Sequence, residues 1–501
     1  MLEDLEASEK VVSAHLQTLT PPPTPRKHQS SHAEELRLAR PILPNNRVLT
    51  HEVAINKEYR IEEDALQERA EIMSAVFDKM RQEIGTGNSD LWVLAMAENI
   101  RTRLQQLLKE GNSMYRIISE ALDNELVARE LQHGVFSYEK FFTFMASLLP
   151  RLCAPFRDEE IKDIVENKMQ NGDVVSRLQA LMHGIDLMQL DYANFMLQQA
   201  APTLIKNASE YETSCFMQLI EETNGEVPIT DAAWRKARTK VYEETARRDP
   251  EGVNLFRSRP TPEKIYAHML VDVFTSLDPT IPIPETLQLD SKRIQKIQTD
   301  ILHIATTGAI LLQCKNLLKR DTRSQWKTEA TRIMTVLENS RGKGAEQASL
   351  GIQAALESSR SMPNATKNHI KGLVGRIVSV AFSISSPSPS SSSSPSSSGS
   401  PTPSEDPIRI SDPVMRLLMT RLRGHILGRL TASSEKEKVK NASTATESLA
   451  SLGLPEFVHR IGGMVDEMGR VGQLDRGAHG AWYEVIEGRC EEEDAGTGMT
   501  I

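Results

Sequence analysis

The chain has 501 residues, enough to bury a sizeable core, and its length alone suggests about three domains. Its net charge of −9 excludes a global basic field, so we expect no nucleic-acid partner. The four cysteines are widely spaced without a Cys-x-x-Cys pair, which favours reduced thiols in a cytoplasmic and/or nuclear protein. No signal-peptide pattern opens the sequence, and the longest uncharged helical run, residues 301–314, is too short for a membrane span. We therefore expect a soluble protein.

The first part of the chain predicts a polar lead-in followed by helices. Residues 1–47 include a Pro-rich stretch and little apolar material, which is typical of a mostly disordered region. From about residue 48 apolar residues recur at helical spacing, and we expect helices over 62–84, 91–108 and 113–131. The sequence has no alternating apolar–polar run long enough for a convincing strand. The prediction is an all-α fold, packed as an elongated multi-helix bundle.

A first informative run covers residues 152–161. Proline disfavours helix for the residue before it, so one helix should end near Pro155. Asp158, Glu159 and Glu160 then open the next helix, where carboxylates can accept free N–H groups, and we expect Asp158 to be a cap. The alternative is that Arg157, with Asp158 and Glu159, forms a corner that docks a partner. Capping is the interpretation that the residues favour.

A second run covers residues 187–198. Asp191, Asn194 and Gln198 follow one another along one side of a helix, beside an apolar stripe expected to run from Leu178 to Phe195. Such a polar row can hydrogen-bond another helix end within the bundle, or a partner segment. The internal contact is the favoured interpretation.

The two runs, in this order and at this distance, resemble the T-complex protein 11 family, which has fungal suppressor-of-kinase-like members. Residues 49–56 and 284–290 add to the resemblance, which spans about residues 48–487 apart from a Ser/Pro-rich block. The resemblance implies a helical, non-enzymatic protein linked to cyclic-AMP and protein kinase A signalling. It also implies that the partners are proteins of that pathway.

The second half of the chain predicts further helices around a polar insertion. We expect a long helix over 291–318, a long loop or weak helix over 340–364, and helices over 413–430, 455–471 and 476–487. Asp412 is suited to cap the helix that begins at Pro413. The predicted organisation is residues 1–47 mostly disordered, 48–382 and 406–488 the two parts of one helical domain, 383–405 a disordered Ser/Pro-rich insertion, and 489–501 an acidic tail.

The helix over 413–430 carries a basic face. Its candidate basic surface consists of Arg416, Arg421, Arg423 and Arg429. A basic amphipathic helix can lie on an anionic membrane or dock an acidic partner, although such a face is more often solvated or paired within its own domain. Peripheral membrane contact is therefore left open.

Ser/Thr-Pro steps in the polar segments are candidate phosphorylation sites. They are Thr24, Ser386, Ser388, Ser394, Ser400 and Thr402. Each phosphate would add about −1.5 to −2 charges.

Motifs for catalysis are missing from the sequence. It contains no His-Glu-x-x-His, Walker, Gly-x-Gly-x-x-Gly or Gly-x-Ser-x-Gly pattern, and its histidines lack zinc-ligand spacing. We expect no enzyme activity, no cofactor and no metal. The favoured function is a non-enzymatic helical adaptor or regulator in cyclic-AMP–protein kinase A signalling. The runner-up is a peripheral membrane or trafficking adaptor that uses the 413–430 helix.

Overall fold

The structure is a computed structural model. It describes residues 45–85, 89–221, 225–248, 260–318, 326–340, 342–358, 362–385, 410–432 and 435–496. These residues form two compact units, the first ending at Tyr211 and the second starting at Glu212. The division falls inside one long helix. The predicted domain boundaries stay a prediction, and most of the predicted lead-in and Ser/Pro insertion lies outside the described residues.

Unit 1 is built from helices joined by short connections. They are α1 Asn46–Ile55, α2 Asp64–Gly85, α3 Ser89–Gln105, α4 Ser113–Ala121, α5 Asn124–Gln132, α6 Tyr138–Leu152, a 3₁₀ turn Pro155–Arg157, α7 Asp158–Asp163, a π-helical turn Ile164–Lys168, and α8 Val174–Glu221, which continues into unit 2.

Unit 2 continues in the same manner. Its other elements are α9 Pro228–Arg248, α10 Pro262–Thr275, a 3₁₀ helix Glu285–Asp290, α11 Ser291–Leu317, α12 Trp326–Glu338, α13 Ala345–Ser358, α14 Asn364–Ser385, α15 Pro413–Leu430, α16 Glu435–Ser443, α17 Ala445–Leu452, a 3₁₀ turn Pro455–Phe457 and α18 Val458–Gly496. The described residues contain helices and no strands, so the all-α prediction is confirmed.

Several predicted element boundaries were wrong. The helix expected over 113–131 is two helices, because the Asp123 side chain accepts the N–H groups of Glu125 and Leu126 and starts a new one. Of the loop and the weak helix expected over 340–364, the helix is the one observed: this stretch contains α13, whose Ala348, Ile352 and Leu356 are buried. The two C-terminal segments are one helix, α18. Helix α14 also continues to residue 385, past the predicted start of the insertion.

In unit 1, helix α8 packs against two successive hydrophobic clusters. Up to Met188 its buried side faces the cluster that includes Trp92 and Phe142. From Leu190 onwards a different side packs against α1 and Ile61. The apolar stripe predicted to end at Phe195 therefore stops earlier, and Phe195 is 57% exposed.

In unit 2, helix α11 is the central element. It packs against α10, α12, α14 and α15, and its residues from Ile304 to Leu311 are buried on every side. A side chain at Gly308 would place its Cβ 2.7 Å from Leu454, so glycine permits this close packing. This explains the uncharged run in the sequence, because a helix that is apolar all round belongs inside a core. None of the described helices is long and apolar enough to cross a membrane.

Candidate partner-docking site

The two informative sequence runs meet in unit 1 through an ion pair. Arg157 donates from Nε to Asp191 Oδ2 at 2.9 Å and from Nη2 to Asp191 Oδ1 at 3.1 Å. Its Nη1 also donates to Glu63 at 2.6 Å and to Glu160 at 2.7 Å. The side chains of Arg157 and Asp191 are each only 12% exposed. Arg157 thus joins the start of α7 to α8 and to the stretch that precedes α2.

All three guanidinium nitrogens of Arg157 donate to carboxylates of unit 1. Its hydrogen bonds to Asp191, and then to Glu160 and Glu63, raise the pKa of the guanidinium above its ordinary value despite partial burial. A bidentate pair of this kind fixes both distance and orientation between two helices. Arg157 and Asp191 therefore position this corner, and their charged groups do not point at a partner.

Asn194 and Gln198 have a related internal role. The side chain of Asn194 accepts the Ile61 N–H at 2.7 Å and donates to the Ile61 carbonyl at 3.0 Å. Gln198 donates to the Tyr59 carbonyl at 3.5 Å. The amide of Asn194 satisfies both backbone groups of a residue outside any helix, as a neighbouring strand would. The polar row on α8 holds the connection between α1 and α2.

Asp158 and Glu159 are exposed at the start of α7, as the sequence indicates, but the expected cap at Asp158 is wrong. The 3₁₀ turn at Pro155 runs directly into α7, so Arg157 occupies the cap position and makes no side-chain capping bond. The Asp158 carboxylate instead accepts a weak hydrogen bond from Cys153 Sγ at 3.3 Å. Its free edge faces solvent near the helix N-terminus, a favourable place for negative charge.

Two aromatic side chains border this ion pair and face solvent. Phe156 is 70% exposed, and its ring centroid lies 5.6 Å from the Arg157 guanidinium carbon. Phe195 lies one turn beyond Asp191 on α8 and is 57% exposed. We name Phe156, Phe195, Asp158, Glu159 and Glu63 the aromatic–acidic surface. Arg157 pairs with three carboxylates, those of Asp191, Glu63 and Glu160, while Asp158 and Glu159 are exposed at the start of α7.

Sequence reasoning missed a buried ion pair beside the second run. Arg103 of α3 is 1% exposed and bonds to Asp186 and to Gln189 of α8, the latter from Nε at 2.8 Å. The sequence did contain one signal for this pair, a single arginine on the apolar side of α3. The bond of Arg157 to Glu63, 94 residues away, was missed as well, because long-range pairing leaves no periodic signature. Its bond to Glu160 was missed although the two residues are only three positions apart.

The candidate basic surface on α15 is mostly engaged within unit 2. Arg423 pairs with Asp272, Arg429 donates to Asp466 at 3.2 Å, and Arg421 donates to the Leu452 carbonyl at 3.4 Å. Arg416 is exposed. The Asp412 cap is confirmed, since its side chain accepts the Met415 N–H at 2.8 Å. All six candidate phosphorylation sites lie outside the described residues.

Unit 2 contains a second polar cluster, which is fully buried. The hydroxyls of Tyr266 and Tyr483 each donate to Asp475 Oδ2 at 2.7 Å, and His479 Nδ1 lies 2.9 Å from Asp475 Oδ1. His479 Nε2 lies 3.5 Å from Glu212. Burial lowers the pKa of His479, but Asp475 and Glu212 outweigh it and raise that pKa to about 9. Across the described part of the chain, no three His, Cys, Asp or Glu side chains are placed to hold a metal ion.

Comparison with known proteins assigns both runs to one family. The family model described as T-complex protein 11 matches residues 49–488. Human T-complex protein 11-like X-linked protein 2 is 24% identical over 290 residues, which cover 54% of this chain and 57% of that protein. A human T-complex protein 11 homolog is 22% identical over 286 residues, 53% of this chain and 56% of that protein.

A yeast relative and the solved structures complete the comparison. Protein SOK1 of Saccharomyces cerevisiae is 25% identical over 212 residues, 41% of this chain but 23% of that protein. The chain thus spans little more than half of the human relatives and about a quarter of the yeast one. No solved structure matches the chain.

Proposed function

Because the chain belongs to the T-complex protein 11 family, we propose that it is a non-enzymatic regulator in cyclic-AMP–protein kinase A signalling, working in the cytoplasm and/or nucleus. The likeness to Protein SOK1 of yeast supports a regulatory role. The choice of pathway follows from the resemblance of the sequence to fungal suppressor-of-kinase-like members. The regulator acts by binding proteins of the pathway. It neither makes nor degrades cyclic AMP and does not bind it tightly.

The observation that carries the binding role is the aromatic–acidic surface. Two phenylalanines, 70% and 57% exposed, border one ion-paired corner in a protein that buries most of its large apolar side chains. Exposed aromatic residues on a rigid support are typical anchors of protein interfaces. The Arg157–Asp191 pair and the Asn194 amide supply that support.

The chemistry of this surface favours one class of partner. Asp158 and Glu159 follow Phe156 by two and three residues, Glu63 pairs with Arg157, and all three carboxylates are exposed. A partner segment that combines lysine or arginine residues with an apolar anchor would satisfy both features. Basic residues would meet the carboxylates, and the apolar anchor would cover Phe156 and Phe195.

The runner-up, a membrane adaptor that uses α15, has less support. A membrane-bound amphipathic helix inserts its apolar face into the lipid boundary. In α15 that face, formed by Met415, Leu418, Leu422 and Ile426, is buried in unit 2. A test of binding to anionic liposomes at physiological salt separates the two functions. We expect no liposome binding that depends on α15.

Affinity purification of the tagged chain at high and low cyclic AMP tests the docking role. The wild-type chain should recover components of the protein kinase A pathway, and the Phe156→Ala/Phe195→Ala variant should lose them. The matched control is Leu126→Ala/Val135→Ala, which removes two other exposed apolar side chains of unit 1. Equal recovery by the phenylalanine variant would contradict this surface as the docking site.

A further inference from the structure

A groove in unit 2 combines a cationic rim with an apolar wall. Its volume is about 620 Å³, and it is lined by α9, α10, α15, the stretch 276–284 and Ile410. Four cationic side chains, Lys236, Lys240, Arg416 and Arg423, border it, against the two carboxylates of Asp272 and Asp278. We name it the Ile410 groove.

The carboxylates in the groove are already occupied. Asp272 forms ion pairs with both Lys240, at 2.9 Å, and Arg423, so two cations share one carboxylate. Asp278 accepts the backbone N–H of Thr280 at 2.9 Å and its hydroxyl at 2.6 Å. Among the described residues, Lys236 and Arg416 form no ion pair, and both are exposed. The groove therefore has surplus positive charge, and an anion is the ligand that this charge favours.

The apolar wall favours a proline-containing chain as the carrier of that anion. Ile281 is 44% exposed, and Pro282, Pro284 and Met419 also line the groove. Proline-rich segments dock on apolar grooves with little loss of chain entropy, because they are extended before they bind.

The position of Ile410 identifies one such chain. Ile410 is the first described residue after residues 386–409, so the Ser/Pro-rich segment enters the fold at the groove itself. Ser400-Pro401 and Thr402-Pro403 lie ten and eight residues before it. An extended chain spans about 3.3 Å per residue, so Thr402 and Ser400 lie within about 26 and 33 Å of Ile410, which itself lines the groove. Such a short tether gives a local concentration on the order of millimolar.

We propose that the Ile410 groove binds the chain's own Ser400–Thr402 motif when that motif is phosphorylated. A proline-directed kinase transfers the γ-phosphoryl group of ATP to the hydroxyl oxygen, which loses its proton, and ADP leaves. The phosphate then contacts Lys236 and Arg416 through charge-assisted hydrogen bonds. Pro401 and Pro403 pack on the wall formed by Ile281 and Pro282.

Chemical footprinting of lysines on the full chain tests this proposal. One sample is phosphorylated at Ser400 and Thr402, and the other carries Ser400→Ala and Thr402→Ala. At a local concentration of about 1 mM, a contact with a Kd of about 0.2 mM lowers the reactivity of the Lys236 amine about sixfold in the first sample. Lys371, an exposed lysine of α14, is the internal control and should react equally in both.

Two variants and one mixing experiment test whether the protection of Lys236 arises at the groove and within the same chain. Arg416→Glu should abolish the protection of Lys236, while Arg421→Glu, the same change on the same helix outside the groove, should leave it. In a mixture, an isotopically labelled chain with Ser400→Ala and Thr402→Ala should remain unprotected beside the phosphorylated chain. Equal reactivity of Lys236 in both samples, protection that survives Arg416→Glu, or protection of the labelled chain would overturn the proposal.

Discussion

The clusters around Arg157 in unit 1 and His479 in unit 2 use the same chemistry in different surroundings. Each joins a cation to more than one carboxylate, Arg157 to Asp191, Glu63 and Glu160, and His479 to Asp475 and Glu212. The Arg157 cluster lies closer to the surface: Arg157 and Asp191 are each 12% exposed, and Glu63 is 55% exposed. The His479 cluster is covered by Phe216, whose ring centroid lies 4.4 Å from the imidazole.

Because the two clusters differ in burial, we expect them to have different roles, one in stability and one in supporting a binding surface. A buried charge without its partner is costly, so the intact His479 cluster stabilises the folded state of unit 2. A pair at the surface contributes less, because water screens it. The Arg157 cluster can therefore hold a corner whose outer side chains, Phe156 and Phe195, remain free to bind. Three changes test this contrast, in order of decreasing expected effect.

The largest effect is expected from Asp475→Ala. The change removes the carboxylate that His479 Nδ1 and the hydroxyls of Tyr266 and Tyr483 share inside unit 2. It should lower the free energy of unfolding by about 3–5 kcal/mol. Urea unfolding measures this value. The control is Asp466→Ala on the same helix. It removes a carboxylate that is 61% exposed from its pair with Arg429 and should cost less than about 1 kcal/mol. Equal effects of the two changes would contradict the contrast in burial.

The pH dependence of unit 2 should be the next largest effect. The pKa of His479 is about 9 in the folded protein and near its ordinary value of 6.5 when unfolded. Because the folded pKa is the higher one, the protonated imidazole stabilises unit 2 fully below pH 6.5, and this contribution disappears as pH rises through 9. A shift of this size corresponds to about 3 kcal/mol. Unfolding midpoints measured from pH 6 to 9.5 should fall in the wild type and stay flatter in His479→Gln; the same slope in both would contradict the assignment.

Smaller losses of unfolding free energy are expected from changes at the corner in unit 1. Asp191→Ala and Asn194→Ala each remove two hydrogen bonds of a partly buried group, at about 1–3 kcal/mol per variant. The exposed controls Glu346→Ala and Gln199→Ala should change the unfolding free energy by less than about 0.5 kcal/mol. If the corner variants unfold like these controls, Asp191 and Asn194 do not hold the corner.

Local signals in the sequence predicted the fold well. Helical periodicity predicted most of the helices. The Asp412 cap was predicted correctly because a cap depends on residues only three positions apart. Helix α18 was predicted as two segments, and it contains several glycines, which weaken a helix. Packing overrides that weakness: a Cβ at Gly472 would lie 2.9 Å from Leu270, so glycine lets α10 approach.

The candidate site was only partly predictable. The sequence selected Arg157 and Asp191, but their pairing joins residues 34 positions apart and depends on tertiary packing. Phe195 was placed in the core because α8 was treated as having one buried side. The side that faces α1 could not be known before α1 was positioned. The exposed aromatic residues, which carry the proposed function, follow from that packing alone.

The central claim is that the aromatic–acidic surface connects this chain to protein kinase A signalling. The most direct measurement is the growth of cells with weakened protein kinase A alleles when the dose of this chain is changed. The wild-type chain should alter growth, while Phe156→Ala/Phe195→Ala, expressed at the same level and equally stable, should not. No effect of the wild-type chain, or the same effect from both, would contradict the account.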